Sequence, residues 1–548
     1  MRKSFLTWGA VVVSASLLLT ACSDSDTTTD AGSDATNGTT SSSSQRGGST
    51  TERADDELVL ALGDFGESEF DPAKGWGTHN EHKVLHSSLL KWTNDMELVG
   101  DLAESYDVDG ATWTFQLNPD FAFSDGEPVT AEDVVFTYEM LVEDGTNFDL
   151  STVKEVRAEG DTTVVFELNG PDSLFGPLTA LIGIVPEHAY GPDYSDNPIG
   201  SGPYKIVDKQ IGEQVIMEAN EHYPQEMHYK KLTFLLADEE AAIAAANAGE
   251  VDVLKVSHSN ADQQIDGMEL EVRESVDTFA VVLPVTESGN TGVTVGEKVE
   301  VGNDITADPA IREAITVGLD REELSELVLN GYGHPAWSVA DELPWEVDFS
   351  FDDGQVEQAT QILKDAGWED TNGDGTVDKD GTEAVIPLMV PSTDPTRVDL
   401  GEVLAVQAER FGIKFEQEHV TWDDIYEEGK TKAVIFALGS LSPKELWDVY
   451  STDAIDTGYN NMPNYSNPEV DKYFEQARRA EDFEASLNLW KEGQKAGANA
   501  HPDGDVSMAW ILRRDHLFIV NEDVDLGSEL IHGHGHGLQI FRNVEEWS

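Results

Sequence analysis

The chain has 548 residues, a single cysteine and a formal net charge of −72 at pH 7, with 106 acidic against 34 basic side chains. Single hydrophobic cores stop growing at roughly 250 to 300 residues, so at least two lobes are expected. The acidic balance argues against nucleic acid as a partner, and a lone cysteine excludes a disulfide within the chain. Acid scattered along the whole length is typical of a surface adapted to high salt.

The first residues predict export. Arg2 and Lys3 precede an apolar run that is too short for a permanent membrane span. Cys22 follows "LTA", which resembles the lipobox of bacterial lipoproteins, so residues 1–21 are interpreted as a signal peptide and Cys22 as the site of lipid attachment. Residues 22–55 contain almost nothing apolar and predict a disordered Ser/Thr/Asp-rich tether. We therefore expect an exported protein that is anchored to the lipid bilayer through Cys22, at the outer face of the cytoplasmic membrane.

Elements along the body mix helices and strands. "ATWTFQLN" (111–118) and "TTVVFELN" (162–169) alternate apolar and polar residues and predict strands. Between them, Thr130 and Asp133 occupy capping positions at the start of a helix. Further along, Gly249 is expected to end one helix, Pro309 to begin another and Asp320 to cap a third. Without strict strand–helix alternation, this pattern predicts an α/β body of two lobes.

Six segments then show a resemblance that covers nearly all of the exported chain. They are "LLKWTNDMELVGDLAESYDVDGATWTFQLNPDFAFSDGEPVTAEDVVFTY", "NPIGSGPYKI", "AGEVDVL", "DPAIREAITVGLDREEL", "LKDAGWEDTNGDGTVDKDG" and "NYSNPEVDKYFEQA". In content and order they resemble the peptide and nickel class of ABC importer solute-binding proteins, known as family 5. The shared order of the six segments along the chain is more specific evidence for this resemblance than any single motif.

The resemblance implies a type II, two-lobed periplasmic-binding-protein-like clam fold of the large peptide/nickel-binding type, which closes by a hinge motion over its ligand. It implies a first lobe of residues 57–290 and 516–548, with an extra subdomain near 100–195, and a second lobe of residues 291–515. The implied partners are the permease subunits of an ABC importer and a small-molecule, metal or peptide ligand. The chain is expected to act as a monomer and to need no cofactor.

An enzymatic interpretation finds little support in the sequence. We find no Gly-x-Ser-x-Gly elbow, no nucleotide-binding glycine loop and no His-Glu-x-x-His motif. Ser201 lies between two glycines, but the resemblance places this turn at the return into the first lobe. A metal-dependent extracellular hydrolase therefore stays a distant alternative.

The run "HGHGHG" near the C-terminus is the leading candidate for a metal site. His532, His534 and His536 share one face of an extended chain, and the interleaved glycines allow the three rings to converge on one transition metal. A subset of the family carries a similar run before an ending like "NVEEW". The alternative is a glycine-rich loop whose histidines cap carbonyls or face water.

Aromatic residues are further candidates for ligand contact. Trp76 and the neighbouring His79 lie in a loop after the first strand, and Trp447 and Tyr450 are the corresponding candidates in the second lobe. The best-known nickel binders of the family hold a nickel chelate with arginines and one histidine of the second lobe. This chain has no histidine between 437 and 452, so any metal site here must be built differently.

"DTNGDGTVDKDG" (370–381) is a second metal candidate. Its possible calcium ligands are Asp370, Asn372, Asp374, Thr376 and Asp378. However, the twelfth position is glycine where a bidentate glutamate is expected. The alternative is a hairpin in which these residues serve turn geometry.

We therefore expect an exported receptor without catalytic activity. The leading ligand is nickel or another transition metal, either alone or as a small chelate, and the close alternative is an oligopeptide.

Overall fold

The computed structural model describes residues 54–63, 70–74, 82–144, 148–210, 212–294, 296–457, 459–497, 501–534 and 538–548. The expected signal peptide, Cys22 and nearly all of the tether lie outside these residues. The α-helices of the described residues are Ala131–Asp144, Phe175–Thr179, Glu239–Asn247, Pro309–Gly318, Arg321–Val328, Val356–Asp365, Pro395–Glu409, Trp422–Glu428, Lys444–Tyr450, Pro468–Arg478 and Phe483–Gly497. Short 3-10 helices are His82–Val84, Tyr194–Asp196, His258–Asn260, Thr452–Asp456 and Leu538–Glu546.

Local sequence signals place many of these elements correctly. Asp320 accepts a hydrogen bond from the backbone N–H of Glu323 at 2.9 Å, which confirms it as the cap of its helix. Gly249 has a φ of +75°, as a left-handed residue just beyond a helix requires. The strand predicted at 111–118 is Thr112–Leu117, and the strand predicted at 162–169 is Thr163–Leu168.

A seven-stranded mixed sheet forms the first large layer. In spatial order its strands are Met268–Arg273, His516–Asn521, Val253–Val256, Glu57–Ala61, Lys231–Leu235, Gln214–Ala219 and Tyr204–Gln210. The strand Glu57–Ala61 is parallel to both of its neighbours, whereas the strand His516–Asn521 is antiparallel to both of its own. The C-terminal part of the chain therefore completes a sheet that the N-terminal part begins.

A six-stranded mixed sheet forms the second large layer. Its strands, in order, are Gly333–Pro335, Met508–Arg514, Thr278–Val282, Ala433–Leu438, Val385–Pro391 and Lys414–Val420. Along the strand Thr278–Val282, Phe279 and Val281 belong to one apolar core while Ala280 and Val282 belong to another. Because successive strand side chains point to opposite faces, both faces of this sheet are covered.

A four-stranded antiparallel sheet lies in the region expected for the extra subdomain. Its strands are Ala103–Asp109, Thr112–Leu117, Thr163–Leu168 and Val153–Ala158. The helix Ala131–Asp144 packs on it and shares its own apolar core, where the ring centroids of Tyr138 and Phe166 are 4.7 Å apart. Two-stranded ladders join Leu90–Trp92 to Leu98–Gly100, Asn290–Thr294 to Glu297–Val301, and Asp378–Lys379 to Thr382–Glu383.

The chain passes between the two large sheets after Arg273 and again after Arg514. The first passage comes earlier than the boundary expected at 290/291, because the strand Thr278–Val282 already pairs within the second sheet. The second passage lies beside residue 516. We take each large sheet as the core of one lobe, so that residues 274–277 and Asp515 form the hinge.

Candidate functional site

Asp277 is a fully buried carboxylate at the point where the two passages meet. Its Oδ2 accepts a hydrogen bond from Nε of Arg514 at 2.6 Å, and Nη2 of the same guanidinium is also 2.6 Å away. Its Oδ1 accepts a hydrogen bond from Nδ1 of His534 at 2.7 Å. Nδ1 of His532 lies 3.0 Å from Nδ1 of His516, whose Nε2 is 3.6 Å from Asp277. We call these five residues the hinge cluster.

Burial and charge set the protonation of the hinge cluster. Burial alone would raise the pKa of Asp277, but Arg514 and His534 hold this pKa well below its usual value. Burial lowers the pKa of His516 to about 4, although Asp277 acts in the opposite direction. Burial, together with His516 and nearby cations, places the pKa of His532 well below its usual value. The cluster therefore contains one carboxylate and one guanidinium, and the imidazoles of His516 and His532 are neutral near pH 7.

The hinge cluster shows where the structure places "HGHGHG". The rings of His532 and His534 bond to different partners, His516 and Asp277, instead of converging on one point. His536 lies outside the described residues. In the part of the chain that the structure describes, no group of three or more His, Cys, Asp or Glu side chains is arranged to hold a metal ion.

His258 gives the hinge region a measurable pH dependence. Its Nε2 lies 3.1 Å from the carbonyl oxygen of Asp515, and burial and the charge of Arg514 lower its pKa from 6.5 to about 4. A group whose pKa falls on folding stabilises the fold above its unfolded pKa and loses this contribution as the pH drops. We expect His258 to contribute a slope of about 1.4 kcal/mol per pH unit between pH 6.5 and 4.

Urea unfolding of the parent and of His258→Gln at pH 7.5, 6 and 5 measures this slope. The difference in unfolding free energy between the two proteins should shift in favour of the variant as the pH falls, because glutamine takes up no proton. A difference that is constant across the three pH values would contradict the account.

A cleft that is partly open to solvent lies between the lobes. The first sheet's side contributes residues near the 3-10 helix His82–Val84 and around Pro203, and the second sheet contributes the residues after its strand Ala433–Leu438. The C-terminal segment supplies the remaining wall. The lining residues are Lys83, Ser87, Lys91, Trp92, Asp101, Ala180, Leu181, Pro203, Tyr223, Gly439, Ser440, Leu441, Gly533, Gln539, Phe541, Arg542, Val544 and Glu545.

Four of the five charged residues that line this cleft form two ion pairs. Nζ of Lys91 lies 3.1 Å from Oε2 of Glu545, whose other oxygen accepts a hydrogen bond from the hydroxyl of Tyr223. Nζ of Lys83 lies 3.0 Å from Oδ2 of Asp101. Burial lowers the pKa of Lys91, but Asp101 and Glu545 outweigh it and leave this pKa raised. Lys91 is therefore a cation at every physiological pH, held between two acids.

The two aromatic candidates of the second lobe are occupied by other contacts. The guanidinium of Arg478 lies 4.8 Å from the ring of Trp447. Tyr450 is buried in an apolar core, where its hydroxyl accepts a hydrogen bond from Nε1 of Trp510 at 2.8 Å. Among the described residues that line the cleft, neither one is found. Trp76 and His79 lie outside the described residues.

The calcium candidate is a turn whose carboxylates bond to its own backbone. Asp370 accepts from the N–H groups of Gly373 and Gly375 at 2.6 and 3.0 Å. Asp378 accepts from Thr371, and the side chain of Asn372 donates to Asp374. Thr376 donates its N–H to Asp374. These bonds favour the hairpin interpretation, in which acidic residues serve turn geometry.

Sequence reasoning missed the residues that line the cleft. Trp92 follows Lys91 directly in the quoted segment "LLKW", and Glu545 belongs to "NVEEW", but neither was singled out. The sequence offered one signal. The chain has only 34 basic residues, so a basic residue beside an aromatic one, such as Lys91 beside Trp92, is a candidate for ligand contact. Nothing local pointed to Asp277, because its partners Arg514 and His534 are 237 and 257 positions away.

Two large mixed sheets, joined by two chain passages and separated by a charged cleft, define a two-lobed solute-binding receptor. The chain belongs to the bacterial extracellular solute-binding proteins, family 5, whose model matches residues 97–463. Proteins of this family are transport receptors of ABC importers and are not enzymes, which agrees with the sequence-based expectation. No helix among the described residues combines the length and the apolarity that a membrane span requires.

Curated relatives support this membership, and solved structures share the fold. It is 31% identical to Protein XP55 of Streptomyces lividans over 83% of each chain. It is 28% identical to the oligopeptide-binding protein AppA of Bacillus subtilis, over 73% of this chain and 76% of that protein. The fold resembles NikZ of Campylobacter jejuni in complex with Ni(L-His), with a TM-score of 0.74 and 22% identity over 90% of this chain and 100% of NikZ. It also resembles AppA of Bacillus subtilis in complex with a nonapeptide, with a TM-score of 0.69 and 23% identity over 90% of this chain and 98% of AppA.

Proposed function

We propose that this receptor binds short peptides in the cleft between its lobes and delivers them to an ABC importer. The carrying observation is the composition of the cleft wall, which combines cations, acids and aromatic rings in one space. A zwitterionic peptide needs both kinds of charge for its termini and apolar surface for its side chains.

Charge is the first support. Lys83, Lys91 and Arg542 line the cleft together with Asp101 and Glu545, so this surface carries one more cation than acid. The whole chain carries −72, so the cleft departs strongly from the average surface. Cations beside acids suit a ligand that bears both a carboxylate and an ammonium group. Lys91 and Arg542 are the candidates for the carboxylate, and Glu545 is the candidate for the ammonium group.

Shape is the second support. The cleft is partly open to solvent and is walled by residues of both lobes and of the C-terminal segment, and such a concave space between lobes suits a small ligand. Gly439, Ser440 and Leu441 continue beyond a strand of the second sheet and bring backbone to the wall of the cleft. The carbonyl of Gly439 already accepts a hydrogen bond from the N–H of His534, so the backbone of Ser440 and Leu441 is the part suited to pair with an extended peptide.

Nickel remains the alternative that the experiment must separate from peptide. For "HGHGHG" to bind nickel with the described histidines, His532 and His534 would give up their bonds to His516 and Asp277. Leaving the buried carboxylate of Asp277 with fewer partners would cost free energy. A nickel chelate with an amino acid would not need these histidines, because its own carboxylates could use the cations of the cleft.

Anchoring and partner follow from the sequence. We infer that Cys22 carries the lipid, that residues 22–55 act as the tether and that the permease subunits of an importer receive the solute. Two acyl chains give a stable anchor where a single chain binds only marginally.

Calorimetric titration in molar salt tests the peptide proposal. Protein that has been unfolded and refolded, so that it carries no solute, is titrated with a pool of tripeptides and, separately, with Ni²⁺ plus histidine. We expect saturable binding of peptide and no specific binding of the nickel complex. Saturable nickel binding near one equivalent, without peptide binding, would contradict the proposal.

Lys91→Gln should weaken peptide binding by about 10-fold, which corresponds to about 1.4 kcal/mol. The reason is that the cleft loses a cation and Glu545 loses the cation with which it pairs. Lys154→Gln is the matched control. Lys154 lies 3.2 Å from Glu167 in an exposed pair on the four-stranded sheet, far from the cleft lining. Affinity in this control should equal that of the parent. Equal affinities in Lys91→Gln and Lys154→Gln would contradict a role of Lys91 in binding.

A further inference from the structure

The C-terminal segment connects the hinge to the cleft. Residues 531–534 lie at the hinge, where the backbone of His532 bridges to Ser275. The described residues that follow them supply much of one wall of the cleft, namely Gln539, Phe541, Arg542, Val544 and Glu545. The described part of "HGHGHG", residues 532–534, therefore lies at the hinge, and the described residues that follow it lie at the binding surface.

Backbone hydrogen bonds fix the hinge end of this segment. The N–H of His532 donates to the carbonyl of Glu274 at 2.9 Å, and the N–H of Val276 donates to the carbonyl of His532 at 2.7 Å. The N–H of His534 donates to the carbonyl of Gly439, a cleft residue of the second sheet's side, at 2.6 Å. The segment thus contacts the hinge and the second lobe at once.

Two side chains of the cleft wall bond back to this hinge end. Nη1 of Arg542 donates to the carbonyl of Ile531 at 2.8 Å, and Nε2 of Gln539 donates to the carbonyl of His534 at 3.3 Å. The carbonyls at both ends of the stretch 531–534 therefore orient side chains that face the solute. Any shift of this stretch moves the donors of the cleft wall with it.

We propose that His534 is a positioning residue that couples the hinge to the binding surface. Its ring, bonded to Asp277, holds the stretch 531–534 in place, so that Gln539 and Arg542 are aligned when the hinge is in this conformation. Asp277 suits this role because it is fully buried and fixed by Arg514 between the two sheets. This inference does not depend on which solute the cleft binds.

Amide hydrogen exchange of residues 538–546 in the protein without solute tests the coupling. His534→Ala should lose about 10-fold in protection there, because a hydrogen bond to a buried carboxylate is broken. His534→Asn should retain the protection, because the amide nitrogen of asparagine can take the place of Nδ1. His188→Ala is the matched control: His188 lies 2.7 Å from Asp125 in an exposed pair away from the hinge.

Parent-like exchange of residues 538–546 in His534→Ala would overturn the proposal, as would equal losses in the alanine and asparagine variants. If His534→Ala does not fold, the proposal is tested by comparing the amide exchange of residues 538–546 in His534→Asn with that in His534→Gln. The longer glutamine places its amide away from the position of Nδ1, so equal protection in these two variants would also overturn the proposal.

Discussion

Asp277→Asn is expected to lower the free energy of unfolding by about 3 to 5 kcal/mol. The substitution keeps the size of the side chain but removes the charge that faces Arg514, whose Nε and Nη2 are both 2.6 Å from Oδ2. Asp277 is fully buried and the guanidinium is mostly buried, so water cannot replace the lost partner. The effect should be large because both chain passages of the hinge meet at this residue.

Urea unfolding at pH 7 measures this loss, with Asp125→Asn as the matched control. Asp125 pairs with His188 at the surface, where such a pair contributes only about 0 to 1 kcal/mol. A double variant, Asp277→Leu with Arg514→Met, should recover part of the stability because neither charge is then left alone. A loss in Asp277→Asn no larger than in Asp125→Asn would show that the hinge cluster does not stabilise the fold.

Gly200→Ala should destabilise the protein by about 3 kcal/mol and also weaken solute binding. A Cβ at this position would lie 1.9 Å from the carbonyl oxygen of Leu85 and 2.8 Å from its carbonyl carbon, so backbone must move. The same turn also contacts the cleft wall. Oγ of the buried Ser201 accepts a hydrogen bond at 3.3 Å from the N–H of Ser87, which lines the cleft. The movement should therefore reach the binding surface.

Gly191→Ala is the control for this prediction, because a Cβ there would have no atom within 4 Å. Thermal unfolding and peptide titration of the two variants, side by side, measure both effects. If Gly200→Ala unfolds at the same temperature as Gly191→Ala, the close approach of the turn to Leu85 is not a constraint in solution. The close approach of Gly200 to Leu85 also shows that Ser201 belongs to a packed turn. This agrees with the sequence-based argument against Ser201 as a nucleophile.

Local signals in the sequence were sufficient to predict much of the fold. Asp320, Gly249 and the alternating segment Thr112–Leu117 act within a few residues of themselves, so their roles can be deduced without knowing the tertiary structure. The resemblance of collinear segments supplied the two-lobed architecture. The position of the hinge was harder to predict, because the strand Thr278–Val282 is apolar from Phe279 onward and its sequence does not show which sheet it joins.

The candidate site depends on contacts that no local pattern encodes. Lys91 and Glu545 are 454 positions apart, and His534 and Asp277 are 257 apart. The spacing of "HGHGHG" drew attention to this stretch, but alternation alone cannot tell whether imidazoles face a metal ion or a buried carboxylate. That distinction depends on Asp277 and His516, which approach the stretch only when the second sheet and the first are joined at the hinge.

Mass spectrometry of the solute released from the receptor tests the central claim most directly. Protein purified from its natural host under gentle conditions is unfolded in acid, and the released small molecules and metals are measured in the same sample. The account predicts short peptides in amounts close to one per receptor, with nickel far below that level. Nickel near one equivalent, without peptide, would contradict it and would identify the receptor as one for a metal or its chelate.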